Sequence, residues 1–389
     1  MKVALFSESY LPYLNGVSIS IRILHEELTR RGHEVWIYAP RFKNYQDPYP
    51  TVRRLPSFTT PFEPDYPIAL PLAPRLWREF RTLGFDVVHT HTPFFTGMAG
   101  ASWARRLRIP IVSTYHTLYE EYLHYVPPIV PKNLVRRVLR WHLKRYYERV
   151  DAVMTPSQIG AEVLRKYGVR KPITPIRNPV LPFPQISKAE ARTRLGIPDD
   201  VWMLLYVGRM APEKNVSVLL RAMPHIVRGC PNARLWLVGP GPALDDLKAQ
   251  AESLNLTEWV HFTGPVPRDE VSLYLLAADL FVFPSVTESQ GLVLDEAQAA
   301  GLPCIVANGG GAPEAVDYGQ TGLVVEPTPE AFVEAVLHLT RHADMREALR
   351  QKAIHKRELL SVPAVVDRIL GVYQTAITAH TVGESAQVG

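Results

Sequence analysis

Short apolar runs alternate with helical segments along this chain, and that alternation restricts its fold more than any other feature. Runs such as residues 3–6, 35–38 and 204–207 are bounded by turn residues, as buried parallel strands are. Segments with a helical pattern follow many of them, for example 19–31 and 216–227. The rhythm predicts parallel sheets covered by helices, which is a doubly wound α/β architecture.

A proline-rich stretch divides this alternation into two series. Residues 170–184 contain five prolines and are predicted to form a stiff linker. We therefore expect an N-terminal domain over residues 1–179 and a C-terminal domain over 180–362. Residues 363–389 are expected to form a last helix with a frayed polar tail. A chain of 389 residues is long enough for two domains with separate cores.

Charge is unevenly distributed between the two series. Lys and Arg outnumber Asp and Glu in residues 1–179, the reverse holds in residues 180–389, and the net charge is +5. A basic half is expected to face something anionic, such as a membrane or a nucleic acid. The alternative is that the two halves attract each other.

Composition restricts the cellular compartment in which this protein is expected and the class of protein to which it belongs. The two cysteines, Cys230 and Cys304, lie in different predicted elements, which excludes a disulfide framework and fits a reducing cytoplasm. The amino terminus runs straight into a predicted strand and lacks the apolar core of a signal peptide. No apolar stretch approaches the roughly 18 residues that a membrane span needs. A soluble or peripheral protein is expected.

Charged residues follow two predicted strands of the second series. Arg209 and Lys214 follow the strand at 204–207, and Glu288 and Glu296 follow a later strand. Because ligands bind outside the carboxyl ends of parallel strands, these side chains are expected to converge on one cleft. The cations suit a diphosphate, and the carboxylates suit sugar and ribose hydroxyls. The alternative is a solvated cation pair and a helix whose acidic early turns suit its dipole.

Gly291 lies between the two glutamates, where a helix is predicted to begin. Glycine lets a backbone approach a ligand closely, and the N–H groups of a helix N-terminus bind anions. The whole pattern resembles the donor site of family-4 retaining glycosyltransferases, which carry Glu-x7-Glu after one strand and an Arg…Lys pair after an earlier one. The resemblance covers nearly the whole chain. It implies the GT-B fold, with two facing Rossmann-like domains and a last helix that crosses back to the first domain.

The resemblance also implies roles for these residues. Arg209 and Lys214 would stabilise the leaving diphosphate, Glu288 would contact the donor sugar, and Glu296 would bind the ribose hydroxyls. The backbone amides expected to meet the sugar or the diphosphate are those of Gly291, Leu292 and Val293.

Two positions in the first series extend the resemblance. Gly16 lies between the first strand and the first helix, where its backbone would approach the diphosphate or the acceptor. Many family members have a second glycine at the next position, where this chain has Val17. His116 follows the strand at 111–114 and matches the cleft histidine of the family, which is placed near the donor sugar. The alternative for His116 is a structural role.

No metal-ligand set is evident in the sequence. His89-x-His91 has no accompanying carboxylate or cysteine, which favours structural or acceptor-side contacts. The chain has no Asp-x-Asp motif, and residues 309–311 (Gly-Gly-Gly) lack the Gly-Lys-Ser/Thr of an ATP P-loop and are predicted to form a tight turn. We expect no metal and no separate cofactor, with Arg209 and Lys214 neutralising the diphosphate.

An aromatic stretch and a basic helix follow His116. Residues 115–125 look like the Tyr/Phe-His-Thr…Tyr-Glu…Tyr segment of bacterial diacylglycerol glucosyltransferases. In the helix predicted over 132–149, one arc is basic: Lys132, Arg136, Arg137, Arg140 and Lys144. Another arc is predicted to be apolar: Val135, Val138, Leu139, His142 and Tyr146. This pattern predicts docking on an anionic membrane surface. The alternative is a surface helix with solvated cations.

The resemblance implies a retaining hexosyltransferase that uses a nucleotide sugar, expected to be UDP-glucose, as a substrate. The expected acceptor is a membrane lipid such as diacylglycerol, and the expected location is the cytoplasmic face of the cell membrane, with no nucleic-acid partner. One alternative is a GDP-mannose- or UDP-sugar-dependent transferase acting on a soluble or polyprenyl-linked glycan. Another is a non-catalytic protein that binds nucleotide sugars or nucleic acid.

Overall fold

The structure, a computed structural model, describes residues 1–13, 15–60, 63–70, 72–125, 130–316 and 319–388. Within these ranges the description leaves out the side chains at 60, 63–65, 122, 124–125 and 383–388. The chain forms two compact units, which we call unit 1 (Met1–Pro179 and Val362–Gly389) and unit 2 (Val180–Ser361). Each unit is built on a parallel sheet covered by helices, which confirms the predicted α/β class.

Unit 1 contains a parallel sheet of seven described strands and a separate hairpin. In chain order its elements are β1 (Lys2–Phe6), α1 (Gly16–Arg30), β2 (Glu34–Pro40), β3 (Val52–Leu55), β4 (Ser57–Thr60), β5 (Glu63–Ala69), α2 (Pro74–Leu83), β6 (Val87–Thr90), α3 (Phe95–Arg106), β7 (Ile111–Thr114), α4 (Lys132–Tyr147), β8 (Ala152–Thr155), α5 (Gln158–Lys166) and β9 (Ile173–Pro175). The sheet order is β3-β2-β1-β6-β7-β8-β9, and all its strand pairs are parallel. Strands β4 and β5 pair antiparallel.

The central strands of unit 1 are buried because helices cover both faces of their sheet. All four residues of β6 are buried, and so are residues 3–6 of β1. The strand order reverses between β1 and β6. In a doubly wound sheet, the loops that follow the two strands at such a point diverge and open a crevice at the carboxyl edge.

Several elements of unit 1 are absent from the sequence-based prediction. Residues 45–74 are rich in proline and show no clear strand pattern, yet they contain β3, β4 and β5. The linker predicted over 170–184 is wrong at its start, because β9 pairs with β8 at the edge of the sheet. Pro175 is tolerated there because an edge strand leaves one row of backbone groups unpaired.

Unit 2 repeats the architecture with six described strands. Its elements are α6 (Lys188–Leu195), β10 (Trp202–Val207), α7 (Ser217–Gly229), β11 (Ala233–Val238), α8 (Leu244–Ser253), β12 (Val260–Gly264), α9 (Val271–Ala277), β13 (Leu280–Phe283), α10 (Leu292–Ala299), β14 (Cys304–Ala307), α11 (Ala312–Ala315), β15 (Gly322–Val325), α12 (Pro329–Arg341) and α13 (Ala343–His355). The order is β12-β11-β10-β13-β14-β15, and all strand pairs are parallel. The order reverses between β10 and β13.

The last helix, α14 (Val362–Val388), belongs to unit 1 and packs on α1 and β7. Its buried side chains include Val365, Val366 and Tyr373, and Arg31 at the end of α1 bonds to Asp367. The helix continues through the polar stretch for which fraying is predicted. Among the described residues, no helix combines the length and the apolarity that a membrane span requires.

Candidate functional site

The loops after β10 and β13 meet at the point where the strand order of unit 2 reverses. Lys214 lies in a short 3-10 turn, Pro212–Lys214, and Glu288 lies in the loop between β13 and α10. The Lys214 Nζ is 2.6 Å from Oε1 of Glu288, and the two side chains are only 13% and 20% exposed. The structure thus brings one predicted cation and one predicted carboxylate into direct contact at the carboxyl edge, where open α/β sheets bind ligands.

Arg209 lies at the start of the loop after β10, and its side chain is exposed. The loop is held by its backbone, since the Tyr206 hydroxyl donates to the Arg209 carbonyl at 3.2 Å. A neighbouring turn presses against it: a Cβ at Gly239 would lie 2.2 Å from the carbonyl oxygen of Gly208. A Cβ at Gly241 would lie 2.1 Å from the carbonyl oxygen of Met210.

The sequence-based prediction missed this role of Gly239 and Gly241. Their signal is a Gly-Pro-Gly turn directly after the apolar strand β11. Since no side chain larger than hydrogen fits there, the two glycines fix the position of the Arg209 loop.

The Glu288 loop is positioned by the triple glycine of residues 309–311. Gly310 has φ +56, and a Cβ on it would lie 2.7 Å from the carbonyl oxygen of Glu288. The Gly311 amide donates to that same carbonyl at 2.6 Å. The predicted tight turn is therefore confirmed. It packs against the backbone at Glu288 and fixes the position of that residue.

Gly291 caps the N-terminus of α10 in a left-handed conformation, with φ +71. Leu292 and Val293 follow as the first residues of the helix and are half-buried. The first N–H groups of an α-helix lack intrahelical acceptors, so this end of α10 offers donors to an anion or a hydroxyl.

Glu296 lies one turn further along α10 and is 5% exposed. Its Oε1 forms an ion pair with Arg268, which lies in the loop after β12. Its Oε2 is buried and accepts no hydrogen bond among the described residues. The four charged residues predicted to converge are therefore arranged as a Lys214–Glu288 pair, a Glu296–Arg268 pair and an exposed Arg209. Sequence reasoning did not single out Arg268.

In unit 1, His116 follows β7 and belongs to a buried group of three histidines. Its Nε2 is 3.0 Å from Nδ1 of His91. His89 is bonded through Nδ1 to the Tyr373 hydroxyl and through Nε2 to the Thr114 hydroxyl, both at 2.7 Å. Burial lowers the pKa of His116 to about 4 and that of His89 to about 3. Burial also lowers the pKa of His91 well below its usual value. All three rings are neutral at pH 7.

The contact between two neutral imidazoles fixes a tautomer. The Nε2 of His91 is buried and has no partner among the described residues. A buried N–H without an acceptor costs more than a bare acceptor, so this Nε2 carries no proton. His91 then donates from Nδ1 to Nε2 of His116, and His116 carries its proton on Nδ1.

Glu8 lies in the loop between β1 and α1, and Gly16 directly follows that loop. Burial raises the pKa of Glu8 to about 7, although its Oε1 accepts the Thr96 amide at 3.1 Å. Gly16 is the first residue of α1, after the capping residue Asn15. A Cβ at Gly16 would meet no atom within 4 Å, so packing inside unit 1 does not require glycine there.

The aromatic stretch after His116 forms a 3-10 helix, Tyr119–Tyr125. Tyr115 is fully buried, which makes it part of the core. The side chains of Tyr122, His124 and Tyr125 lie outside the described residues.

Helix α4 departs from its predicted faces. Val138, which the helical projection groups with the apolar arc, is 54% exposed, and Leu134 and Trp141, which belong to neither predicted arc, are also exposed. Two members of the predicted basic arc, Arg136 and Arg140, form ion pairs with Glu120. The exposed face thus has an apolar ridge, which we call the α4 ridge (Leu134, Val138 and Trp141). Exposed cations adjoin it: Arg137, Lys144 and Arg145.

No group of three or more His, Cys, Asp or Glu side chains among the described residues is arranged to hold a metal ion. His89 and His91 are instead bonded to a tyrosine, a threonine and another histidine.

Comparison with known proteins identifies the family of this chain. Residues 14–181 match the family model described as Glycosyltransferase Family 4, and residues 187–356 match Glycosyl transferases group 1. An alpha-monoglucosyldiacylglycerol synthase of Streptococcus pneumoniae is 34% identical over 321 residues, which cover 79% of this chain and 71% of that protein. The chain belongs to the family-4 glycosyltransferases.

One further relative of this glycosyltransferase carries the same name, and another carries a different name. An alpha-monoglucosyldiacylglycerol synthase of Acholeplasma laidlawii is 31% identical and covers 91% of this chain and 92% of its own. A GDP-mannose-dependent alpha-mannosyltransferase of Mycobacterium tuberculosis is 31% identical and covers 96% of each chain.

Solved structures show the same fold. Sucrose-phosphate synthase from Thermosynechococcus elongatus matches with a TM-score of 0.77 at 23% identity, over 97% of this chain and 100% of that one. Anabaena HepE in complex with UDP-glucose matches with a TM-score of 0.75 at 18% identity, over 96% and 100%. The predicted GT-B fold of this glycosyltransferase is confirmed.

Proposed function

We propose that this glycosyltransferase moves glucose from UDP-glucose to a diacylglycerol-type membrane lipid, with retention at the anomeric carbon. The observation that carries the proposal is the Lys214–Glu288 contact at the carboxyl edge of unit 2, beside the N-terminus of α10. It sets a cation for a diphosphate next to a carboxylate for sugar hydroxyls. HepE, which has the same fold, was solved with UDP-glucose bound.

Each predicted site residue of unit 2 has a proposed role in binding the donor. Arg209 and Lys214 contact the diphosphate and stabilise the charge that develops as it leaves. Glu288 accepts hydrogen bonds from the sugar hydroxyls. The second oxygen of Glu296, buried and without a donor among the described residues, accepts a ribose hydroxyl. The Leu292 and Val293 amides donate to the sugar or the diphosphate.

Catalysis is proposed to rest on positioning and on charge stabilisation. The leaving diphosphate departs on the face that the acceptor hydroxyl enters, and a phosphate oxygen accepts the hydroxyl proton. His116 contributes a neutral N–H donor near the sugar, because its lowered pKa keeps it uncharged at pH 7. The nucleotide sugar is a substrate in this scheme, and no separate cofactor is proposed.

Acceptor and stereochemistry are supported by the names of two relatives. Both proteins called alpha-monoglucosyldiacylglycerol synthase exceed 30% identity to this chain. The prefix alpha corresponds to retention when the donor sugar is α-linked. A second candidate is transfer of mannose from GDP-mannose, favoured by the mycobacterial relative that covers 96% of this chain.

A donor and acceptor panel tests the proposal. The purified protein is incubated with UDP-glucose or GDP-mannose, each with dioleoylglycerol or a glycolipid in mixed micelles. The expected product is α-glucosyldiacylglycerol, with the anomer assigned by nuclear magnetic resonance. Turnover with GDP-mannose alone would establish the second candidate, and absence of nucleotide release from either donor would exclude both.

Peripheral attachment at the cytoplasmic face of the membrane is part of the proposal. The α4 ridge would insert among lipid headgroups, while Arg137, Lys144 and Arg145 contact anionic headgroups. Apolar burial and charge act together here, so binding should weaken when either is removed.

Liposome flotation tests this attachment. Wild-type protein should float with vesicles that contain anionic lipid and should be released by high salt. Trp141→Ser and Arg137→Ala/Arg145→Ala should each reduce the floating fraction, whereas Leu359→Ser, at an equally exposed apolar position in unit 2, should not. Absence of wild-type binding at any salt concentration would remove the idea.

A further inference from the structure

A groove in unit 1 carries two cations that the proposed reaction does not use. Its walls come from residues 12–13 after β1, residues 41–43 after β2, and residues 57–59 and 67 of the β4–β5 hairpin. It encloses about 700 Å³, within the range of small-ligand pockets. The groove lies at the carboxyl ends of β1 and β2, the edge at which such sheets bind ligands.

Arg41 and Lys43 are the charged side chains of this groove, and both are exposed. Neither forms an ion pair or a side-chain hydrogen bond among the described residues. No described carboxylate lines the groove beside them. The nearest acid in the same loop, Asp47, is already occupied by Arg54 at 2.5 Å. The positive charge of the groove is therefore not neutralised by these neighbours.

The walls of the groove are held in place by hydrogen bonds. Arg54 donates to the carbonyl of Leu11 at 2.6 Å and to that of Pro40 at 2.8 Å, which ties the loop after β1 to the end of β2. The Ser57 hydroxyl donates to the carbonyl of Arg41 at 2.5 Å, which ties the hairpin to the same loop. Because these bonds are made within the protein, binding would need little reordering of the walls.

The wall from the hairpin offers apolar surface beside its two hydroxyl side chains. The Phe58 ring, which lines the groove, is 49% exposed, and Pro67 lines the same wall. Phe42 adds a half-buried ring between the two cations in the sequence. A ligand that satisfies both walls has an anionic group at one end and an apolar body at the other.

We propose that this groove binds one molecule of an anionic phospholipid. The phosphate contacts Arg41 and Lys43 through charge-assisted hydrogen bonds, and the glycerol and first acyl carbons lie along Phe58. The site is separate from the residues assigned to the donor, and its argument does not depend on the transfer reaction.

The test uses three matched soluble ligands and isothermal titration calorimetry. Dihexanoylphosphatidic acid, kept monomeric, carries both the phosphate and the chains. Dihexanoylglycerol lacks the phosphate, and glycerol 3-phosphate lacks the chains. We expect the complete lipid to bind at least about tenfold more tightly than either fragment, because it alone engages both walls. Equal binding of glycerol 3-phosphate would overturn the proposal in favour of a free phosphate ester, and equal binding of uridine monophosphate would overturn it in favour of a nucleotide.

Variants locate the binding site. Arg41→Ala/Lys43→Ala should weaken dihexanoylphosphatidic acid at least about tenfold, to the level of dihexanoylglycerol, and leave UDP affinity unchanged. Phe58→Ser should weaken the complete lipid and leave glycerol 3-phosphate unaffected. Arg75→Ala/Arg78→Ala, an equal loss of exposed charge on α2, should bind like wild type. Wild-type affinity in the Arg41/Lys43 variant would overturn the proposal, whatever the enzyme does with UDP-glucose.

Discussion

The Lys214 ammonium and the Glu288 carboxylate are 2.6 Å apart, although they lie in loops that follow different strands. The sheet order explains the contact, because β10 and β13 are neighbours in the sheet. The ion pair holds each of the two side chains in place through the other. Their position thus follows from topology rather than from nearness in the sequence.

We predict that Lys214→Met and Glu288→Gln each lower kcat by roughly two to three orders of magnitude, the usual effect of removing a group that stabilises transition-state charge. Because the two groups act as a pair, the double variant should lose much less than the product of the single losses. Steady-state kinetics with UDP-glucose measures this. Glu347→Gln is the control: it breaks an exposed ion pair on α13 and should leave kcat unchanged. Independent, multiplicative losses would contradict the paired role.

Arg209→Ala should lower kcat by a similar factor, roughly 10²–10³, without changing stability, since the side chain is exposed. Arg209→Lys keeps the charge and loses the planar fork, so it should recover only part of the activity. Activity and thermal unfolding are measured on the same samples. Near-normal turnover of Arg209→Ala would count against the proposed diphosphate contact.

Gly310→Ala should perturb both stability and activity. The left-handed backbone alone costs about 1–2 kcal/mol with a Cβ, and the overlap with the Glu288 carbonyl adds about 1–3 kcal/mol. Gly196→Ala is the matched control, since φ is +66 there and no atom lies within 4 Å of the added Cβ. Urea unfolding should show the larger loss at Gly310, and kcat should fall only there. Equal losses at both positions would mean that the overlap is relieved without moving Glu288.

Much of this site could be predicted from the sequence because each motif directly follows an apolar strand. Strand-end residues of a parallel sheet share one edge, so Lys214 and Glu288 could be expected near each other. Arg268 could not, because its contact with Glu296 depends on how far the loop after β12 reaches over α10. The approach of Gly239 to Gly208 is likewise a tertiary contact that no local pattern specifies.

The faces of α4 show a second limit of sequence reasoning. A helical projection groups residues that share a face, but it does not say which face packs inward. Val138 was grouped with Leu139 and Tyr146, yet it lies on the exposed side with Leu134 and Trp141. In unit 1, β3 to β5 were missed because prolines obscure the strand pattern at the edge of a sheet and in a hairpin.

His91 is expected to act as a positioning residue for His116. In the wild type, ring nitrogen-15 shifts should show His116 with its proton on Nδ1, because its Nε2 accepts from His91. His91→Ala should release this constraint and populate the other tautomer, and it should lower kcat more than it changes UDP affinity. A purely structural role of His91 would change stability alone. A wild-type His116 protonated on Nε2 would contradict the assignment.

Glu8 makes stability depend on pH in a direction that can be worked out. Burial raises its pKa from 4.5 to about 7, so the folded state binds a proton more tightly than the unfolded state. Stability should therefore fall as pH rises from about 4.5 to about 7, by roughly 3 kcal/mol, and then level off. Glu8→Gln removes this dependence while keeping an acceptor for the Thr96 amide.

The measurement for Glu8 is urea unfolding of wild type and Glu8→Gln between pH 5 and pH 8. The buried histidines titrate in the opposite sense, because their folded pKa values are lowered and they destabilise the protein as pH falls below about 6.5. Their effect is common to both proteins and cancels in the difference. Glu347→Gln is the control, since its carboxyl has a lowered pKa of about 2 and does not titrate in this range. If the difference between wild type and Glu8→Gln stays constant from pH 5 to pH 8, Glu8 is already ionised throughout, and the burial argument for its raised pKa fails.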